Sequence, residues 1–280
     1  MAKVIDTLQY YFAPEEKELF QKTHDQEGIA CKLTAVIGGV MPSYTPEQLI
    51  AEMDANDVEK VFLGQLVMFS YLQKKPMNSC NLEQLAKVVT KYPDRFVGMA
   101  TYNPYKITES LRDIEKAVKQ YGFKAVYVHI FGFDIPLYDR KMYPLFAKCI
   151  ELGIPCTMQT GYVLEGMPSE GGRPIYLDKI ALDFPELVMV GTHTGYPWCE
   201  ELIAMAYKFE NVYFGASAHA PRYWEQNVVN YINTRGQNKA IFGTNLIPFK
   251  LMLGQLEALN LREEAKQKLL YDNAKRVFKL

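Results

Sequence analysis

The chain has 280 residues, of which 49% are hydrophobic and 22% charged, enough apolar mass for one large buried core. Lysine plus arginine number 31 against 32 acidic residues, a net charge of −1, and no basic stretch interleaves with aromatics, which argues against nucleic acid as a partner. No apolar run approaches the roughly 18 residues of a membrane span, and the N-terminus lacks the apolar stretch of a signal peptide, so a cytoplasmic protein with no membrane partner is expected.

From the N-terminus, Val4 to Leu8 reads as a first strand, followed by a polar and aromatic excursion over residues 11–44 that suits a rim or lid. Thr45-Pro46-Glu47-Gln48 is a capping box with proline at the first helical position, opening a helix through Ala55. Val58 to Leu66 is the second strand, and Asn78 to Tyr92 is helical by period. Phe96 to Thr101 is a third strand, Ile107 to Tyr121 a helix stopped by Gly122, and Ala125 to Ile130 a fourth strand. The unit then repeats. Arg140 to Leu152 is helical, Pro155 to Thr160 a strand, Pro174 to Phe184 helical, and Leu187 to His193 a strand. Pro197 to Phe209 is helical, Val212 to Ala216 a strand, Arg222 to Thr234 helical, Lys239 to Gly243 a strand and Pro248 to Leu259 helical. A last amphipathic helix, Glu263 to Phe278, closes the chain.

Eight strand–helix units with no break in composition predict one α/β domain over residues 1–280, a single (β/α)8 TIM barrel with a C-terminal helix. A doubly wound open sheet is the alternative, weakened because no GxGxxG follows the first strand. The five cysteines (Cys31, Cys80, Cys149, Cys156, Cys199) form no CxxC pair, which fits reduced thiols rather than a disulfide framework.

Barrel chemistry sits where strands end. Those positions carry Asp6, Leu8 and Tyr10, then Gln65, Tyr102 and Asn103, then His129, Gln159 and Tyr162, and finally His193, Ser217, His219 and Asn245. The set is polar but poor in carboxylates. A zinc or manganese cage needs three or four converging His, Asp, Glu or Cys ligands, and only His129, His193 and His219 are candidates for one. His24 reads as a surface residue.

Six segments, in order, are similar to the amidohydrolase-related family, in the branch of aminocarboxymuconate-semialdehyde decarboxylase-like and hydroxybenzoate decarboxylase-like barrels. They are Val4-Ile5-Asp6, Gly122-Phe123-Lys124-Ala125, Leu152-Gly153-Ile154-Pro155, Gly191-Thr192-His193-Thr194-Gly195 through Asn211-Val212-Tyr213, Ile241-Phe242-Gly243-Thr244-Asn245 with Pro248-Phe249, and Asn273-Ala274-Lys275-Arg276-Val277-Phe278. The resemblance implies an amidohydrolase-like barrel acting by hydrolysis or non-oxidative decarboxylation, often as a homodimer. It also implies metal ligands at four positions, where this chain has Leu8 and Tyr10 for two histidines, Gln159 for a third and Asn245 for an aspartate. Neutral groups of this kind bind divalent cations poorly, so no metal and no other cofactor is expected. His193 matches the family's strand-six histidine.

The expected function is therefore that of a metal-independent enzyme acting on a small aromatic or unsaturated carboxylic acid or lactone. His193, titrating near working pH, would be the general acid or base, with Gln159 and Asn245 holding a substrate oxygen. Tyr10, Tyr102, Tyr162, His129 and His219 are candidates to touch substrate, and Arg173 and Arg222 to clamp a carboxylate. The alternatives are a non-catalytic binding barrel and a rebuilt metal site on the three histidines.

Overall fold

Eight parallel strands follow one another around a barrel in chain order: β1 (Val4–Tyr10), β2 (Val58–Gly64), β3 (Phe96–Thr101), β4 (Ala125–Val128), β5 (Cys156–Gln159), β6 (Met189–Thr192), β7 (Val212–Ala216) and β8 (Ala240–Phe242). The computed structural model describes residues 3–11, 44–78 and 80–280. The expected rim excursion over 11–44, with His24 and Cys31, lies outside them except for its end residues Tyr11 and Tyr44. The ring is completed by bonds from the β8 end to β1: Asn245 N donates to Leu8 O at 2.8 Å and Thr7 Oγ1 to Phe242 O at 2.7 Å.

These strands read as unbroken apolar runs because both faces are covered. One set of side chains, including Ile5, Phe62, Val97, Tyr127, Val190 and Ile241, fills the barrel interior. Phe278 plugs this interior from the chain's end, its ring 4.5 Å from that of Phe62. The alternate set, including Val61, Val126, Met158, Met189, Phe214 and Phe242, packs outward with the helices.

Those helices are α1 (Pro46–Asp54), α2 (Leu82–Lys91), α3 (Ile107–Tyr121), α4 (Tyr143–Leu152), α5 (Leu177–Asp183), α6 (Cys199–Lys208), α7 (Gln226–Asn233) and α8 (Phe249–Glu257). The capping box is present at α1, where Gln48 N donates to Thr45 Oγ1 and Thr45 N to Gln48 Oε1. Gly122 and Gly153 end α3 and α4 in the left-handed conformation that favours glycine, at φ 71° and 66°.

Several helices start later than the sequence suggests. Asn81 caps α2 by accepting from Glu83 N and Gln84 N, so this helix starts at Leu82 rather than at Asn78. Short 3₁₀ turns, Pro174–Tyr176 and Pro221–Tyr223, precede α5 and α7 because a proline starts each. The last helix changes winding at Lys268–Asp272, a π-helical turn between Glu263–Gln267 and Asn273–Val277. No helix among the described residues is long and apolar enough to cross a membrane. Cys80, Cys149, Cys156 and Cys199 are free thiols.

Candidate active site

A cavity of about 90 Å³ opens at the C-terminal ends of the strands. Of the residues singled out in the sequence, Tyr10, His129, Gln159, Tyr162, His193, His219 and Asn245 line it together. The backbone that presents them is held away from its relaxed state. His193 (φ 63°), Ala218 (φ 61°), Asn245 (φ 53°) and Leu246 (φ 73°) all line the cavity in the left-handed region, which costs a residue with a Cβ.

His193 follows directly on β6. Its Nδ1 lies 2.9 Å from the hydroxyl of Thr192, and that hydroxyl donates its own proton to Met158 O at 3.2 Å. With the proton so committed, Thr192 Oγ1 accepts from Nδ1–H, which leaves Nε2 as the lone-pair nitrogen for the cavity. Burial pulls the His193 pKa down to about 3, helped by the nearby imidazole of His129 and opposed by the carboxylate of Glu165. The expected titration near working pH is therefore corrected: the ring is held neutral, able to accept a proton at Nε2 while its one N–H is engaged by Thr192.

Gln159 ends β5 with its amide oriented by a chain of hydroxyls. Tyr10 OH donates to Tyr127 OH at 2.8 Å, and Tyr127 OH donates to Gln159 Oε1 at 2.9 Å. The oxygen being occupied, the NH₂ group is the end available to a ligand. Asn245 is complementary to it, since its buried Oδ1 has no hydrogen-bond partner among the described residues. Tyr162, Tyr196 and His219 form an aromatic wall. Tyr196 stacks on the His219 ring at 4.5 Å and 19°, and Tyr162 meets Tyr196 edge-on at 5.6 Å. Gly161 permits that contact: at φ 84° it brings the chain so close to Tyr196 that a Cβ there would sit 2.4 Å from Tyr196 O.

Three expected residues are elsewhere. Tyr102 is buried, and its hydroxyl donates to Lys141 O at 2.5 Å, outside the cavity lining. Arg173 pairs with Glu201 of α6 at 2.5 Å, and Arg222 bonds to the Tyr223 hydroxyl at 2.6 Å, so neither lines the cavity. No lysine or arginine among the described residues does. The sequence reading missed Glu165, which lines the cavity from the loop after β5 and carries no motif, and Tyr127, which sits mid-strand beneath Gln159.

At the positions where family resemblance places metal ligands, Leu8 is apolar and buried, Tyr10 and Gln159 are joined through Tyr127, and Asn245 is neutral. Among the described residues no three His, Cys, Asp or Glu side chains converge on one point, so His129, His193 and His219 are not brought together as a rebuilt cage. This donor set does not fit a divalent cation.

The sequence profile of the amidohydrolase family matches residues 75–280. The chain belongs to the amidohydrolase family. Solved structures that it resembles include an uncharacterised TIM-barrel protein from Bordetella bronchiseptica, at 22% identity and a TM-score of 0.78 over 99% of this chain and 98% of that one. A 2,6-dihydroxybenzoate decarboxylase complexed with 2,6-dihydroxybenzoate matches at 16% identity and 0.74 over the whole of both chains. A 5-carboxyvanillate decarboxylase from Novosphingobium aromaticivorans, complexed with manganese, matches at 18% and 0.73, over 100% of this chain and 96% of that one. At these identities the likeness is one of fold. Among the described residues, the barrel mouth of this amidohydrolase is lined by amides, phenols and imidazoles with one carboxylate, Glu165.

Proposed function

We propose that this amidohydrolase is a metal-independent hydrolase of small aromatic or unsaturated lactones or esters, with His193 as general base. The observation that carries the reading is the neutral His193 ring, fixed by Thr192 so that Nε2 faces a cavity also lined by Gln159 and Asn245. Nε2 takes a proton from water as the water adds to the substrate carbonyl, then returns it to the leaving oxygen. The Gln159 NH₂ donates to the carbonyl oxygen as charge builds there. Asn245 lines the same cavity, its Oδ1 buried and without a hydrogen-bond partner among the described residues. Glu165 stabilises the imidazolium formed midway, since its charge already pulls the His193 pKa upward against burial.

A base that holds its proton this loosely is slow against simple esters, which narrows the substrate to activated ones with a good leaving group. The aromatic wall of Tyr162, Tyr196 and His219 favours a flat one. The lack of any cation in the described lining favours an uncharged one. Non-oxidative decarboxylation is the second reading, favoured by the full-length likeness to two decarboxylases.

A panel of unsaturated lactones, aryl esters and hydroxybenzoates, assayed after dialysis against a chelator, separates these. Hydrolysis that survives chelation and falls about 100-fold or more in His193→Ala is expected. Carbon dioxide release from a hydroxybenzoate would promote the second reading. Loss of all activity on chelation, or an active His193→Ala variant, would overturn the first.

A further inference from the structure

His219, in the loop after β7, lines the mouth cavity with a ring that is held in place from several directions. Its backbone N donates to Ser217 O at 2.6 Å, and the buried Trp224 donates from Nε1 to His219 O at 2.8 Å. One face of the imidazole lies against Tyr196, with 4.5 Å between ring centres and 19° between planes. Tyr223 packs against it at 6.0 Å, tilted.

The ring also has a fixed polarity. Its Nε2 lies 3.3 Å from Tyr223 O. A carbonyl oxygen only accepts, so in the neutral ring the single proton sits on Nε2 and Nδ1 keeps its lone pair. Burial favours that neutral form, lowering the pKa against the pull of the carbonyl and of Glu225. The side chain is only half-buried, and Nδ1 is not sealed from the cavity as Asn245 Oδ1 is. Because the lone pair lies in the ring plane, a ligand that reaches it meets the edge of the imidazole rather than its free face.

We propose that His219 is a specificity-determining residue of the mouth, its Nδ1 accepting a hydrogen bond from an O–H or N–H carried by the substrate. On the reading above, in which the mouth holds the substrate, the preferred lactone or ester then bears a donor as well as the carbonyl met by the Gln159 NH₂. The test uses the full chain with ¹⁵N-labelled histidine rings at pH 7. It is titrated with phenol, which is un-ionised there, and separately with toluene, which has the same shape and no donor. Signals are assigned with His219→Phe and His193→Ala. The free protein should show His219 in the Nε2–H form, and phenol should shift its Nδ1 signal saturably while toluene does not. His219→Phe keeps an aromatic ring beside Tyr196 and is expected to weaken phenol about fivefold, the worth of one net hydrogen bond, with toluene unchanged. A His219 ring protonated at Nδ1 would overturn the proposal. So would a phenol shift that is absent or confined to His193 Nε2, or a preference for phenol that survives in His219→Phe. The wild-type nitrogen shifts decide the matter even if His219→Phe does not fold. Hydrolysis through His193 while phenol leaves His219 unmoved sinks this proposal alone. A phenol response at His219 with no hydrolysis of any substrate sinks the hydrolase reading alone.

Discussion

Asp6 on β1 grips Thr244 beyond β8 with both carboxylate oxygens, Oδ1 accepting from Thr244 N at 2.9 Å and Oδ2 from its hydroxyl at 2.5 Å. Oδ1 also accepts from Leu8 N at 3.0 Å, and Gln9 Nε2 donates to the same threonine oxygen. One buried acid thus joins the backbone and hydroxyl bonds that close the barrel seam. Burial pushes its pKa from the usual 3.8 to about 6, against the pull of these bonds.

The sign of the resulting pH dependence is set by that upward displacement. Folding disfavours the ionised form, so the penalty is full above about pH 6 and fades as pH falls toward 4, where Asp6 is protonated in the folded state. Asp6→Asn keeps an acceptor for the two backbone N–H groups and removes the titration. Between pH 7 and pH 4 the wild type should gain about 2 kcal/mol of stability relative to the variant. Urea unfolding at the two pH values measures this, and a difference that does not change with pH refutes it.

His193 titrates far below its ordinary range, at about 3, so catalysis should not switch off near pH 6.5. For the best substrate, kcat/KM is expected to stay flat from pH 8 through 6.5 and to fall only near pH 4 or lower. An inflection at 6.5 would place a freely solvated imidazole at the catalytic step.

Thr192 acts through His193 rather than on substrate. Thr192→Val keeps the shape of the side chain but removes the acceptor for Nδ1–H, so both tautomers become populated. A fall in kcat of roughly two- to fivefold with little change in KM is expected, since the wrong tautomer is an inactive base. Nitrogen chemical shifts of the ring should show the mixed tautomers directly. A purely structural threonine would leave them as in the wild type.

Tyr127→Phe cuts the hydroxyl chain in the middle and leaves Gln159 Oε1 without its donor. A loss of roughly 1–3 kcal/mol in stability follows from the unsatisfied buried groups. The freed amide should also turn, raising KM for a carbonyl substrate several-fold. Thermal unfolding and steady-state kinetics on one preparation check both parts.

The barrel was legible because parallel strands buried on both faces leave continuous apolar runs, as in Leu187–Val190, punctuated by Gly122, Gly153 and the prolines before helices. His193, Gln159 and Asn245 were legible because strand ends face one axis. Long-range pairing was not. Arg173 looked available for a ligand because nothing near it in sequence reveals Glu201, which α6 carries back to it. Tyr102 looked like a rim residue, yet its hydroxyl finds Lys141 O. Glu165 sits in an irregular loop, where no period says which way a side chain points. Nor does composition reveal that burial pulls the His193 pKa down: that depends on what surrounds the ring.

The four left-handed residues around the mouth, His193, Ala218, Asn245 and Leu246, carry a consequence for how this protein changes under selection. Glycine would relieve each of them, and Ala218→Gly should be tolerated most readily because it removes only one methyl group. Heat selection acting on this chain would therefore erode the rim of its own working pocket first. Thermal hardiness and precise aim of the side chains are set against each other at the same few backbone positions.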